Sequence, residues 1–326
     1  MGKGRHSWGF ILFVAIGFMM MTQQVAAAEY PTRPISVVVP FGAGGPADLS
    51  SRIMAEKASE FMGQPIVIEN KVGAGGIVGA SYVAKAKPDG YTLLNGGPST
   101  LILAPLLKSG LVYTMDDLVP IAEYANTPMV ISAKADGPWK TFPDFIKAAQ
   151  KNPGKYSYAS YGPLSMVHLA MELLCKQAGM KLTHIPYEGG AKANAALLGG
   201  HVDIAITNST GGLYEAGSLK ILASVTKEKY PWMKEVPTLT ELGYPIQLEA
   251  GQVFCVPKGT PKEIIDKIYD AQKKAFNKYG KELEASFRKV EHQALLLTPE
   301  ETLKKSQREK EIYYGIAKEM GVLVKP

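Results

Sequence analysis

Gly42-Ala43-Gly44-Gly45 recurs as Gly73-Ala74-Gly75-Gly76, and each copy sits between an apolar β-branched run and a stretch of helical periodicity. That repetition constrains the fold more than any other feature of the chain. Ile35-Ser36-Val37-Val38-Val39 has the composition of a buried strand, and residues 49–61 carry apolar side chains at helical spacing. Residues 65–69 and 77–85 repeat the pattern around the second copy, and Tyr91-Thr92-Leu93-Leu94 opens a third unit through Asn95-Gly96-Gly97-Pro98-Ser99-Thr100. Consecutive β-loop-α units joined by right-handed crossovers bring their loops to the carboxyl edge of one parallel sheet. Backbone N–H groups at glycine-opened helix starts favour an anion there. The expected fold class is therefore α/β.

Ahead of these units, Lys3 and Arg5 precede an apolar run over residues 8–21, and Ala26-Ala27-Ala28 supplies small residues before Glu29. This reads as a signal peptide over residues 1–28, cleaved near Ala28, because the run is short for a membrane span and ends in a cleavage pattern. A chain of 326 residues with 46% hydrophobic content is large enough for two domains. A formal net charge of +6 is too mild to argue for a nucleic-acid partner. Cys175 and Cys255 lie far apart in sequence and read more readily as small buried hydrophobes than as a pair.

The second half of the argument begins at Asn126-Thr127-Pro128, which separates two strand patterns and reads as a hinge crossing. Tyr156-Ser157-Tyr158-Ala159 is a strand that opens through Ser160-Tyr161-Gly162-Pro163-Leu164-Ser165 into a helix with Met166, Leu169, Ala170, Leu173 and Leu174 on one face. Strand patterns ending at Tyr187 and at Thr207-Asn208-Ser209-Thr210 follow. Residues 250–257 make a strand that returns to the first domain, with Leu248 to Gly251 as the second crossing. A helix is expected over 261–276, and a last one opens on the capping box of Thr298, Pro299 and Glu301. The domains are then 29–125 with 249–326, discontinuous, and 126–248.

Enzymatic readings are weaker than binding ones. Ser165, His168 and Glu172 form a polar stripe on one helix, but nothing orients the imidazole, so capping or packing is the expected use of His168 and ligand contact that of Ser165. His184, His201 and His292 lack metal-ligand spacing. Gly42 to Ala47 formally fits a dinucleotide-binding pattern, yet Pro46 is awkward in that turn and no suitable acid follows. Asp48 reads either as a brace for the first helix or as a contact for an amine or hydroxyl on the ligand. No catalytic residue, metal or cofactor is expected.

The order Val39-Pro40-Phe41, Gly44-Gly45 with Asp48, Glu69-Asn70, Gly73-Ala74-Gly75-Gly76, Pro88-Asp89-Gly90-Tyr91, His168-Leu169, Pro186-Tyr187, Gly189-Gly190, Gly199-Gly200, Val236-Pro237-Thr238 and Gly259-Thr260-Pro261 resembles the tripartite tricarboxylate transporter receptor family, the Bug proteins. The resemblance runs through almost the whole chain beyond the leader. It implies a type II periplasmic-binding-protein fold, two α/β domains closing on a small organic carboxylate, and delivery to membrane permease subunits. A ligand sensor presenting its bound state to a membrane receptor kinase would share the same binding chemistry. The implied ligand-binding residues are Phe41, Gly42, Ala43, Gly44, Gly45, Asp48, Gly73, Ala74, Gly75, Gly97 and Ser99 in the first domain. Ser160, Tyr161, Gly162, Ser165, Tyr187 and Asn208 oppose them from the second. Tyr161, Pro163 and Leu164 make the second wall bulkier and more apolar than is common in the family, which leaves room for an aromatic or less polar carboxylate beside a dicarboxylate, hydroxy acid or amino acid. A monomer in the periplasm is expected.

Overall fold

The computed structural model describes residues 30–208 and 210–324; the leader read over residues 1–28 and Ser209 lie outside the described residues. From Arg33 onward the chain forms one compact unit. Strand β1 (Ile35–Val39) leads into helix α1 (Pro46–Met62), β2 (Ile66–Asn70) into α2 (Ile77–Ala84), and β3 (Thr92–Gly96) into a π turn over Ser99–Leu103 and the short α3 (Ala104–Leu107). β2 and β3 flank β1 in parallel, with Val39 opposite Asn70 and Val38 opposite Leu94. The three loops that follow these strands therefore leave from the same sheet edge. Val37, Val38 and Val39 are fully buried, as a β-branched run covered on both faces should be.

The long strand β4 (Leu118–Thr127) is separated from β5 (Val130–Lys134) by Pro128 and Met129 alone, so β4 belongs to one sheet and β5 to another. Then come α4 (Phe142–Lys151), β6 (Ser157–Ser160), α5 (Met166–Gln177), β7 (Thr183–Pro186), α6 (Gly190–Leu198), β8 (Ile204–Thr207) and β9 (Leu219–Ser224). The chain returns through β10 (Ala250–Pro257), α7 (Lys262–Lys289), β11 (Gln293–Ala294) and α8 (Pro299–Glu319). The first sheet has the order β11-β4-β10-β3-β1-β2 and the second β7-β6-β8-β5-β9. β10 runs antiparallel to β4 and pairs Ala250 with Thr127, which sets the two chain crossings between the sheets side by side. In the second sheet β7 and β8 both run parallel to β6, so it too gathers three loops at one edge.

One expectation needs correcting. The helix read over 261–276 continues to Lys289, passing Gly280 with Tyr279 turned out of helical geometry at φ −115° and ψ 17°. Leu283 and Phe287 are fully buried and hold the added turns against the first sheet. Cys175 and Cys255 are free and buried.

Candidate functional site

Helix starts differ sharply around the two sheet edges. Thr141, Ser165 and Thr298 cap α4, α5 and α8 through their side chains. By contrast α1, α2 and α6 open on Gly45, Gly76 and Gly189, none of which supplies a side-chain cap. The first turns at those three starts have no side-chain cap, which is the arrangement that suits an anionic ligand, although the Val78 N–H of α2 donates to the Gly73 carbonyl. All three follow parallel strands.

The three loops of the first sheet converge at Gly76. A Cβ there would lie 2.6 Å from the Thr100 methyl and 3.2 Å from the Phe41 ring, and φ is +97°, so only glycine fits. Phe41, Gly42, Ala43, Gly44, Ala74 and Gly75 are exposed at this mouth, Gly45 and Gly73 half-buried beside it. Gly97 has a different role: its Cα packs where a Cβ would meet the Gly251 carbonyl at 2.9 Å, and its own carbonyl accepts from Thr100 and Leu101. Ser99 starts the π turn and is half-buried.

Asp48 is buried and its carboxylate is fully occupied. One oxygen accepts from the Gly44 N–H at 2.9 Å and Arg52 Nε at 3.0 Å, and the other from Arg52 Nη2 and Asn70 Nδ2, both at 2.9 Å. Four donors saturate its lone pairs. Burial pushes its acidity towards the neutral form, but the bonds from Arg52, the Gly44 N–H and Asn70 outweigh that and hold the pKa below the ordinary value. The structure thus makes Asp48 a brace, and the Arg52 charge cancels the repulsion it would exert on a bound carboxylate. Asn70 also donates to the Phe41 carbonyl at 3.0 Å, tying the first loop to the end of β2. Behind this loop Asn95 Nδ2 donates to Gln252 Oε1 at 3.0 Å and to the Ala47 carbonyl at 3.2 Å, while Tyr124 donates to Asn95 Oδ1 at 2.8 Å. Sequence reading missed Arg52, although its i,i+4 spacing to Asp48 was a local signal, and it missed Asn70 and Asn95, whose roles need long-range pairing.

At the second edge, side chains are mostly spent on the loops themselves. Ser160 is fully buried; its hydroxyl lies 2.7 Å from His184 Nε2 and donates to the Gly162 carbonyl at 3.2 Å. Ser165 donates to that carbonyl at 2.7 Å and accepts the His168 N–H. His168 Nδ1 in turn accepts the Leu164 N–H at 3.1 Å, which holds Leu164 in its positive-φ turn and keeps that nitrogen unprotonated. His168 stacks on His184 at 4.2 Å and His184 on Tyr158 at 4.8 Å. Burial lowers both histidines, His184 to about 4, so the stack is neutral. A packing role for His168 accounts for all of this. Tyr161 and Tyr187 are half-buried, the former packed against the main core and its phenol pushed up by burial. Asn208 is half-buried, with its Nδ2 enclosed and unpartnered in this structure.

Beside the two crossings lies an acidic cluster that the sequence did not announce. Lys305 of α8 meets Glu123 of β4 at 2.7 Å, Glu249 at 3.1 Å and Glu309 at 3.9 Å, and Asn126 donates to Glu249 at 3.0 Å. A Cβ on Gly251 would fall 2.7 Å from the Glu123 carboxylate, so a larger residue there would have to displace that side chain.

Known proteins share this fold. The sequence model for the tripartite tricarboxylate transporter family receptor matches residues 50–291. The periplasmic binding protein BugD is 31% identical, with a TM-score of 0.79 over 91% of this chain and 100% of its own. An R. palustris protein solved with adipate is 29% identical, with a TM-score of 0.81 over 91% and 99% of the two chains. MatC from Rhodopseudomonas palustris with bound malate is 28% identical, with a TM-score of 0.77 over 88% and 99%.

Proposed function

The chain belongs to the tripartite tricarboxylate transporter receptor family, and from that we propose that it is a periplasmic receptor for a small dicarboxylate or aromatic carboxylate. The family is one of solute receptors, not enzymes, and the fold is that of the type II periplasmic binding proteins. In our reading domain 1 comprises residues 29–125 and 249–326, domain 2 comprises 126–248, and the ligand lies between them. Phe41 to Ala43 and Gly73 to Gly75 offer N–H groups to one carboxylate, while the Gly44 and Gly45 N–H groups shape the loop through Asp48 and the Gly42 carbonyl. Tyr161, Tyr187 and Asn208 line the opposing wall, and Asn208 Nδ2 is a donor awaiting an acceptor. Gly97, Ser160 and Ser165 hold the loops in shape.

The observation that carries this proposal is the convergence of uncapped glycine helix starts at Gly76, with the one nearby arginine already spent on Asp48. Neutral donors bind a carboxylate without fixing its partner atoms rigidly, and ordered water can complete the contacts. Adipate and malate in the two solved relatives support the ligand class. The apolar Tyr161, Pro163 and Leu164 favour adipate or benzoate over citrate, and the saturated Asp48 removes any special preference for an amine. The bound form would be passed by a monomeric receptor to membrane permease subunits.

Thermal melting with malate, adipate, benzoate, citrate, aspartate and NAD tests the proposal. A native-state ligand at a hundred times its Kd adds about 2.7 kcal/mol, which raises Tm by roughly 4 °C in a chain of this size. We expect that shift from adipate or benzoate. A shift from NAD alone would sink the reading.

A further inference from the structure

Loop 210–212, after β8 of the second sheet, already holds a carboxylate, and it comes from the other sheet's side of the molecule. Glu291 lies between α7 and β11. One of its oxygens accepts the Thr210 N–H at 2.6 Å, and the other accepts the Thr210 hydroxyl at 3.0 Å and the Gly212 N–H at 2.5 Å. Gly211 and Gly212 have φ of +64° and +78°, the successive left-handed turns that aim neighbouring N–H groups into one concavity. Glu291 itself sits at φ +58°, a conformation that a glutamate adopts only where its surroundings hold it. The residue is buried, and the His292 N–H bonded to the Phe287 carbonyl fixes its backbone to the end of α7. Gln293 then pairs with Asn126 of β4, so Glu291 moves with the first sheet. Along the same seam Arg288 meets Glu215 at 2.8 Å and lies 4.5 Å from the centre of the Trp232 ring, both beyond β8 in sequence.

We propose that Glu291 is a clasp between the two domains: its carboxylate fills the anion nest of Thr210 and Gly212, holds the arrangement seen here, and thereby positions the loop that carries Asn208 against the ligand. Any hinge motion at the two crossings that separates the sheets must break these bonds. The part concerning ligand affinity rests on the receptor reading above; the part concerning domain arrangement does not. Glu291 is a positioning residue, acting through the loop rather than on the ligand.

The test uses the leader-free protein and Glu291→Gln, which keeps size and backbone but presents an amide where two oxygens accept. Small-angle scattering without ligand is the first readout. We expect a larger radius of gyration for Glu291→Gln than for wild type, and collapse of that difference when adipate is added. Titration with adipate and malate is the second, with affinity expected to fall about tenfold, within the usual range of coupling between sites. Thr210→Val removes one bond while leaving the Glu291 side chain in place; it should show a smaller shift of the same kind, and the double variant should be less than additive. Should Glu291→Gln not fold, Thr210→Val alone carries the scattering test. Unchanged scattering, even with a lowered Tm, overturns the clasp. If neither wild type nor variant binds any carboxylate but scattering still differs, the clasp stands and the receptor reading falls.

Discussion

Asp48 is placed where a carboxylate should harm the binding of another, and its surroundings explain why it does not. With Arg52 paired to it and both oxygens saturated, it acts outward only through the shape of residues 41–44. Asp48→Asn keeps the outline but cannot accept from all four donors. We expect a loss of about 2 kcal/mol in urea unfolding, and weaker binding of every carboxylate in the panel by a similar factor. A direct contact would instead discriminate, penalising aspartate, malate and citrate, which carry an amine or hydroxyl, and sparing adipate and benzoate. The carboxyl has a folded pKa below its ordinary 3.8, so its contribution is complete above that value and fades as pH falls through the folded one. The variant should lack that part of the acid sensitivity. What the sequence could show at this scale was which residues stand at the loop; the pairing of Asp48 with Asn70, 22 residues away, needs the register of β1 against β2.

Legibility changes at the scale of elements. The β-loop-α units were readable because a β-branched run, a glycine cluster and a helical period follow one another within a short window, and each is a local signal. α7 was readable only to its middle. Gly280 and the dense charges of residues 278–289 look like a helix end, yet Leu283 and Phe287 reach the core and tertiary packing overrides the weak propensity. Phe287 lies 6.1 Å from the Tyr124 ring, under the network that supports the first loop. The far half of α7 also carries Arg288 and leads into Glu291. Leu283→Ala is therefore expected to cost about 2–5 kcal/mol, and to speed hydrogen exchange at the Thr210 and Gly212 amides more than at the amides of α4. Equal protection of those amides in wild type and variant would separate the helix from the seam. The open glycine starts of α1, α2 and α6 were likewise visible as sequence, while the contact of Ser160 with His184, 24 residues away, was not, because it depends on the pairing of β6 with β7.

For the whole molecule, the cluster of Glu123, Glu249, Glu309 and Lys305 sets a pH dependence of its own. One ammonium cannot balance three enclosed carboxylates, and the groups facing them are Asn126, Tyr230, Tyr313 and Arg308, of which only Arg308 is cationic. Burial, above all, pushes Glu309 up to about 8, with the Lys305 ammonium opposing and Glu123 and Glu249 adding repulsion; Glu123 is raised for the same leading reason. An unfolded Glu309 ionises near 4.5, so between the two values the folded protein binds more protons and rising pH favours unfolding. His184 and His292, both lowered by burial to about 4 from 6.5, act in the opposite sense below 6.5. The window from about pH 6.5 to about pH 8 therefore belongs to the acids, and urea midpoints there should fall with pH, by at most about 1.4 kcal/mol per pH unit for each proton lost. Glu309→Gln should flatten most of that decline, leaving only the part due to Glu123. A wild type whose midpoint stays level across the window would mean that Glu123 and Glu309 are ionised together. The crossings between the sheets would then carry a standing excess of negative charge, and the same cluster would favour separation of the domains instead of merely lowering stability.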